Sequence, residues 1–341
     1  MSRIVQIVPR LPPPFEGVGS FAQGLASALL AGPGIASHLL AAGPGTPGAE
    51  PEAQAFADRL EREAGADPVL LHYVGYGYQA RGCPGWLVDG VEAWKSGGRR
   101  RLVTLFHEVY ATGPPWRSSF WMSPAQRRLA ARLAALSDGR VTSLALYRRR
   151  LPGLEVAVIP VFSTVGEPAA VLPLAARARR LVVFGGPGGR ARAYNGHGEK
   201  LAETCRALDL EEVWDIGPLG PPGNAAGPTE VAGRPLKRLG ELPAAEVNAV
   251  LAESLAGFVA YPPRFLAKST VFAAYCAHGM LPLCSATAQD EDADEVPPCW
   301  EPHRHSAALE EIQALAGQAL TWYRGHTAAV HAALYRELLS P

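Results

Sequence analysis

The sequence predicts an α/β protein of two doubly wound domains facing a cleft, with a C-terminal helix crossing back. Three observations carry that prediction. Short, almost wholly apolar runs, such as residues 3–9, 68–74 and 101–106, alternate with glycine-bearing loops and helical stretches. Strands buried on both faces of a parallel sheet have this character. Between residues 162 and 176 the periodicity gives way to Gly, Pro and small residues, as in a linker, and the same grammar restarts at Arg180. Finally, residues 309–339 are helical in pattern and long enough to reach back across the front domain. The chain divides accordingly into a front domain over 1–163, a linker over 164–178, a rear domain over 179–320 and a closing helix over 321–341.

Composition sets the bounds. With 341 residues, 48% of them hydrophobic, and 32 Lys+Arg against 32 Asp+Glu, the chain can bury two cores. No apolar run approaches the length that spans a bilayer. The first residues form a strand and lack a signal peptide's cleavage region. Five cysteines without a CxxC pair imply reduced thiols and a cytoplasmic protein, not a disulfide frame or zinc site. Charge is mildly asymmetric, with 17 basic and 12 acidic residues in positions 1–165. The runs Arg99–Arg101 and Arg148–Arg150 are solvated surface that could make weak peripheral contact with an anionic membrane. No pattern indicates a nucleic-acid groove.

In chain order, strand 3–9 leads through a proline-glycine loop into a helix over 21–30. Gly17 and Gly19 of that loop permit close backbone approach to a ligand. After a loop over 43–51 come a helix over 53–64, a buried strand over 68–74, an aromatic-glycine loop over 75–78 and a helix over 86–94. The strand over 101–108 ends in His107 and Glu108, polar residues at a strand's carboxyl end, where ligands gather in open α/β sheets. The aromatic loop 110–122 could bind a sugar or cap the core. A helix over 124–136, the segment 137–143, a short helix over 144–151 and a strand over 156–160 complete the front half.

In the rear half, strand 180–186 runs into a glycine-arginine loop, 187–194. There Gly185, Gly186, Arg190 and Arg192 could cradle phosphate. A helix over 199–208, a strand over 212–217, a Gly/Pro loop over 217–235, a helix over 246–254 and a strand over 256–260 follow. The organising stretch is 264–283. Lys268-Ser269-Thr270 at a helix start can meet an anion with an ammonium, a hydroxyl and backbone N–H groups together. Ser269 or Thr270 is the expected N-cap, Gly279 the terminator, and 281–284 the next strand. The acidic run 289–295 and the pair His303 and His305 read as solvated loops, not metal sites. No G-x-S-x-G elbow occurs.

Several segments, in order, resemble those of GT-B-fold nucleotide-sugar glycosyltransferases. Pro14-Phe15-Glu16-Gly17-Val18-Gly19-Ser20 is similar to their N-terminal glycine loop, and Leu105-Phe106-His107-Glu108 to their strand ending in His-Asp or His-Glu. The passage 137–143, then Val158-Ile159-Pro160, resembles the approach to their linker. Ala274-Tyr275-Cys276-Ala277-His278-Gly279 with Pro282 is similar to the E-A-m-A-x-G-x-P-v segment of retaining members.

The resemblance implies two Rossmann-like domains, the front one on the acceptor side and the rear one binding the nucleotide sugar. It also implies a metal-independent transfer with no cofactor, from a UDP-sugar by expectation, to a glycan, lipid-linked or small-molecule acceptor. It places Gly17 and Gly19 beside donor phosphate or sugar, His107 against the transferred sugar, and Ser269 and Thr270 at the diphosphate with Lys268 adjacent. An inverting reaction would need a base, for which His107, Glu108, His72 and Glu16 are the candidates. The departure is at the family's Glu-x7-Glu pair, which falls on Leu266 and Ala274. That leaves two alternatives to the transferase: an inactive GT-B-like binding protein, or a GT-B-fold nucleotide-sugar epimerase.

Overall fold

A computed structural model describes residues 3–12, 17–45, 52–218, 228–285 and 296–340. The chain forms two compact units. The first holds residues 1–160 together with 328–341, and the second holds 161–327. Residues 161–176 thus belong with the second unit.

In the first unit, β1 (Arg3–Val8), β2 (Ala36–Ala41), β3 (Val69–Tyr73), β4 (Leu102–Phe106), β5 (Gly139–Thr142) and β6 (Ala157–Val158) form one parallel sheet, ordered β2-β1-β3-β4-β5-β6. All five residues of β3 and of β4 are buried, as near-continuous apolar runs require. β2 is a strand that the sequence reading does not include. It is an edge strand of intermediate burial, so its Ala-Ser-His start carries no apolar signal and only pairing with β1 defines it.

The helices are α1 (Gly17–Ala31), α2 (Ala53–Ala64), α3 (Gly75–Tyr78), α4 (Gly85–Ser96), α5 (Ser118–Leu136) and α6 (Ala145–Arg149). Three differ from expectation. α1 begins at Gly17, so Gly17 and Gly19 lie in its first turn rather than in a loop. The aromatic-glycine segment at 75–78 closes a single helical turn. α5 begins six residues before Pro124, which sits inside it. A proline there removes one N–H bond to the carbonyl of Phe120, an exposed residue that solvent can satisfy.

The second unit's sheet, β12-β11-β7-β8-β10-β9, consists of β7 (Ala178–Phe184), β8 (Glu212–Ile216), β9 (Glu230–Val231), β10 (Arg234–Gly240), β11 (Ser254–Val259) and β12 (Leu281–Cys284). It is parallel except for β9. Its helices are α7 (Pro187–Ala191), α8 (His197–Ala207), α9 (Ala244–Glu253), α10 (Thr270–Ala277) and α11 (Leu309–Arg324). Part of the Gly/Pro stretch 217–235 lies outside the described residues, and its end contributes β9 and the start of β10. The glycine-arginine segment is not a loop: Pro at the first helical position starts α7, which passes through a π-turn, 192–196, into α8. All five cysteines are free thiols. Among the described residues no helix is long and apolar enough to cross a membrane.

The C-terminal tail breaks at Gly325, and only α12 (Ala328–Leu339) joins the first unit, rather than a helix from 321. α12 packs on α1 and buries His331, Ala332, Tyr335 and Leu339. The His331 ring meets Phe21 edge-on at 5.6 Å and its Nε2 donates to Pro160 O at 2.8 Å, while Arg101 Nε donates to Leu338 O at 2.9 Å. Deleting residues 328–341 is expected to cost the first unit about 5 kcal/mol from the lost apolar burial alone. Calorimetry should show one melting transition falling while the second unit's stays in place.

Candidate functional site

In the second unit the chain winds outward from β7 in both directions. β8 lies on one side and β11 on the other, so the β7–β11 boundary is the topological switch point where open α/β sheets bind ligands. The two strands pair as far as Val182↔Gly257 and then diverge. The backbone groups freed by that divergence are met by Tyr275 of α10. Its hydroxyl accepts from Phe184 N at 3.0 Å and lies within donating reach of Val182 O (3.2 Å) and Phe258 O (3.3 Å). Burial pushes the phenol's pKa up, so the donor stays protonated. The ring lies so close over Gly257 that an added Cβ would come within 2.5 Å of it.

Above Tyr275, at the strand ends, is a cavity of about 200 Å³. One wall is Gly185, Gly186, Gly189, Arg190 and Arg192, and the facing wall includes Tyr261, Ser269 and Val271. Gly185 has φ +128°, open to glycine, and its Cβ position is 3.1 Å from Val271 Cγ2. The structure therefore brings together Gly185, Gly186, Arg190, Arg192 and Ser269, which lie up to 84 residues apart in sequence.

Their chemistry differs. Arg190 is buried, pairs with Asp215, donates to Pro218 O, and its Nε donates to Gly185 O at 3.0 Å. Tyr194 donates its hydroxyl to the other Asp215 oxygen at 2.8 Å. Arg190 thus ties the ends of β7 and β8 together. Gly217 (φ +143°) completes that junction, because a side chain there would collide with Gly185 O. Arg192 is exposed at the cavity rim. Desolvation, then Lys200 and Arg192, lower the pKa of the neighbouring His197, which marks a locally positive potential.

On the facing wall Ser269 is the N-cap of α10, its Oγ accepting from Phe272 N at 3.2 Å. First-turn amides of a helix have no intrahelical acceptor, and those of Thr270 and Val271 are available to a ligand. Lys268 and Thr270 adjoin this wall in sequence but do not line the cavity; the Lys268 ammonium lies 5.9 Å from the Phe265 ring. Arg177 fixes the far end of α10, donating to His278 O at 2.7 Å and to Ser254 O at 3.2 Å. Leu266 and Ala274 are fully buried.

The first unit assembles a second group. His72, fully buried on β3, takes a hydrogen bond between its Nδ1 and His107 Nε2 at 3.1 Å, and one between its Nε2 and Gln6 Oε1 at 2.9 Å. Gln6 Nε2 donates to Ser37 Oγ at 3.0 Å. Burial pushes the His72 pKa down to about 3, so the ring is neutral. Gln6 Oε1 accepts only, so His72 carries its proton on Nε2 and accepts at Nδ1, and His107 donates from Nε2. Phe21 packs edge-on against His107 at 5.5 Å. Glu108 follows His107 beyond the strand end, half-buried. Gly17 and Gly19 lie in the first turn of α1, and Glu16 lies outside the described residues.

Sequence reasoning missed Gln6, Ser37, Asp215 and Tyr275. Gln6 was detectable as the one polar side chain inside an apolar strand. Tyr275 was not, because within an apolar helix it resembles any core aromatic.

Two outcomes follow. Tyr275→Phe leaves Phe184 N without its acceptor and is expected to cost about 1–3 kcal/mol in denaturant unfolding. Burial also lowers the pKa values of His278 and His331, each to about 4, alongside His72. The unfolded chain titrates these rings near 6.5, so it binds protons that the folded protein refuses. Stability should therefore fall as pH drops below 6.5, by up to about 1.4 kcal/mol per pH unit per histidine. Melting temperatures between pH 7 and about 5, above the carboxylate range, check it; a flat profile contradicts it.

No family model matches the chain, and no curated protein matches its sequence. Solved structures do match. AviGT4, a glycosyltransferase involved in avilamycin A biosynthesis, is 17% identical with a TM-score of 0.57, over 99% of this chain and 97% of its own. The E. coli trehalose-6-phosphate structure bound with UDP-2-fluoro glucose is 12% identical, TM-score 0.59, over 100% and 99%. A protein of Listeria monocytogenes assigned as a UDP-N-acetylglucosamine 2-epimerase is 13% identical, TM-score 0.58, over 98% and 94%. At these identities the likeness speaks to fold, and the fold of this chain is that of the GT-B nucleotide-sugar enzymes.

Proposed function

We propose that the protein is a glycosyltransferase that moves a sugar from a nucleoside-diphosphate sugar, a UDP-sugar in the first instance, to an acceptor hydroxyl. One observation carries the reading. In a GT-B fold, the switch-point cavity of the second unit presents the α10 N-terminus and Arg192 from opposite walls. At about 200 Å³ it is smaller than the roughly 300–1,000 Å³ of whole small-molecule sites, which suits it to the diphosphate portion of a donor.

Glycosyl transfer builds negative charge on the departing diphosphate. The amides of Thr270 and Val271, the Ser269 hydroxyl and the Arg192 guanidinium are fixed donors for that charge, and Lys268 and Lys200 add positive potential. In this reading the leaving group needs no metal. Gly185 and Gly186 let phosphate approach the backbone. Arg190 holds the wall rather than the ligand. The acceptor, a glycan, lipid-linked or small-molecule hydroxyl, belongs to the first unit near His107 and Glu108, with Gly17 and Gly19 in the first turn of α1. His72, buried and neutral, positions His107 instead of touching substrate.

The second reading is a nucleotide-binding protein without transfer. Leu266 and Ala274 favour it, since fully buried apolar groups at those positions cannot hold a ribose or sugar hydroxyl. An epimerase is the third, and free sugar released without acceptor would mark it. Calorimetry with UDP, GDP, TDP and ADP tests all three at their common step. Arg192→Ala is expected to weaken diphosphate binding about tenfold, as loss of a charge-assisted contact does, with melting unchanged. Equal binding by the variant, or no binding of any nucleotide, would sink the proposal. Binding with no turnover of any nucleotide sugar selects the second reading.

A further inference from the structure

Three large apolar side chains crowd one short exposed stretch of the first unit: Trp116 is 83% exposed, Trp121 66% and Phe120 41%. They occupy the loop after β4 and the first turn of α5. They are held outward: Trp121 Nε1 donates to Pro115 O at 2.9 Å, and its ring meets Phe120 edge-on with centroids 5.4 Å apart. The structure thus excludes this segment as a cap on the core. Contiguous exposed aromatic surface of this kind marks an interaction site.

The charge within the segment itself has one sign. Between Glu108 and Asp138 the chain has no acidic residue and four arginines. Arg127 and Arg128 follow Phe120 and Trp121 by seven residues, two turns on, and share their exposed face of α5. Arg127 and Arg150 both stack on Tyr110, at 4.8 and 5.0 Å, which draws α6 and the exposed Arg148 alongside. Arg132 is excluded from the face, being paired with Asp89 and Glu92.

We propose that this face docks on an anionic phospholipid bilayer. Trp116, Phe120 and Trp121 enter the headgroup boundary, and Arg117, Arg127, Arg128 and Arg148 meet lipid phosphate. Trp prefers that boundary because its ring is amphipathic, and arginine beside it gains from the surface potential. A carbohydrate would instead need amide or carboxylate groups for its hydroxyls. The one such side chain in the segment, Gln126, is buried and already bonded to Ala111 N, Tyr76 Oη and Arg81 O. The docking surface does not depend on the nucleotide site proposed above.

The full chain should co-sediment at low salt with phosphatidylcholine vesicles containing about one third phosphatidylglycerol, and not with pure phosphatidylcholine. Trp116→Ala with Trp121→Ala, and separately Arg127→Glu with Arg128→Glu, should each lower vesicle partition about tenfold with melting unchanged. Should the tryptophan pair prove unstable, the arginine pair and the salt dependence decide. The proposal fails if anionic vesicles do not bind at low salt, or if either folded double variant partitions like the parent. It fails equally if single-stranded DNA or a gluco-oligosaccharide quenches the tryptophans while vesicles do not.

Discussion

The second unit depends on one hydroxyl. Where β7 and β11 part company, Phe184 N, Val182 O and Phe258 O would be left in a dry interior, and buried backbone groups without partners are costly. Tyr275 meets them from α10, and Gly257 makes room for its ring. The same contact therefore stabilises the divergence, opens the cavity above it and anchors the helix whose N-terminus forms one of its walls. The remaining junctions serve that arrangement. Arg190 and Asp215 close the β7 and β8 ends, and Arg177 holds the other end of α10.

The first unit solves a different problem with similar means. A histidine without solvent must be neutral, and a neutral histidine needs one donor partner and one acceptor partner. Gln6 and His107 supply these to His72, so a buried chain of hydrogen bonds running from Ser37 to His107 sets the proton position of a ring at a strand's carboxyl end. The cost is acid sensitivity, since each ring held neutral resists protonation that the unfolded chain accepts.

Leu266 and Ala274, where the resemblance would put a glutamate pair, carry no hydrogen-bonding side chain and are fully buried as core. Neither position lines the cavity. Around the cavity, the glycine-rich wall, Arg192 and the capped start of α10 offer charge and amides but few groups suited to a base or a sugar.

The sequence by itself determined what depends on neighbours along the chain. Buried strands such as β3 and β4, the helix α2, the Ser269 cap and the Gly279 stop follow from apolar periodicity and from local capping chemistry. It also placed His107 and Glu108 at a strand end, and the resemblance carried by scattered motifs matched the fold. Tertiary structure decided what depends on partners distant in the chain. The strands β2, at one sheet edge, and β10, between β8 and β9, exist because neighbouring strands pair with them, so their own residues carry little signal. Arg190 and Arg192, two residues apart in one glycine-rich segment, diverge because only Arg190 meets the buried Asp215, while Arg192 stays at the rim. Trp116 and Trp121, which composition alone would bury, lie in solvent because no core closes over the start of α5. Side-chain burial and pairing are properties of the assembled fold, and pattern along a chain cannot encode which residue will find a partner.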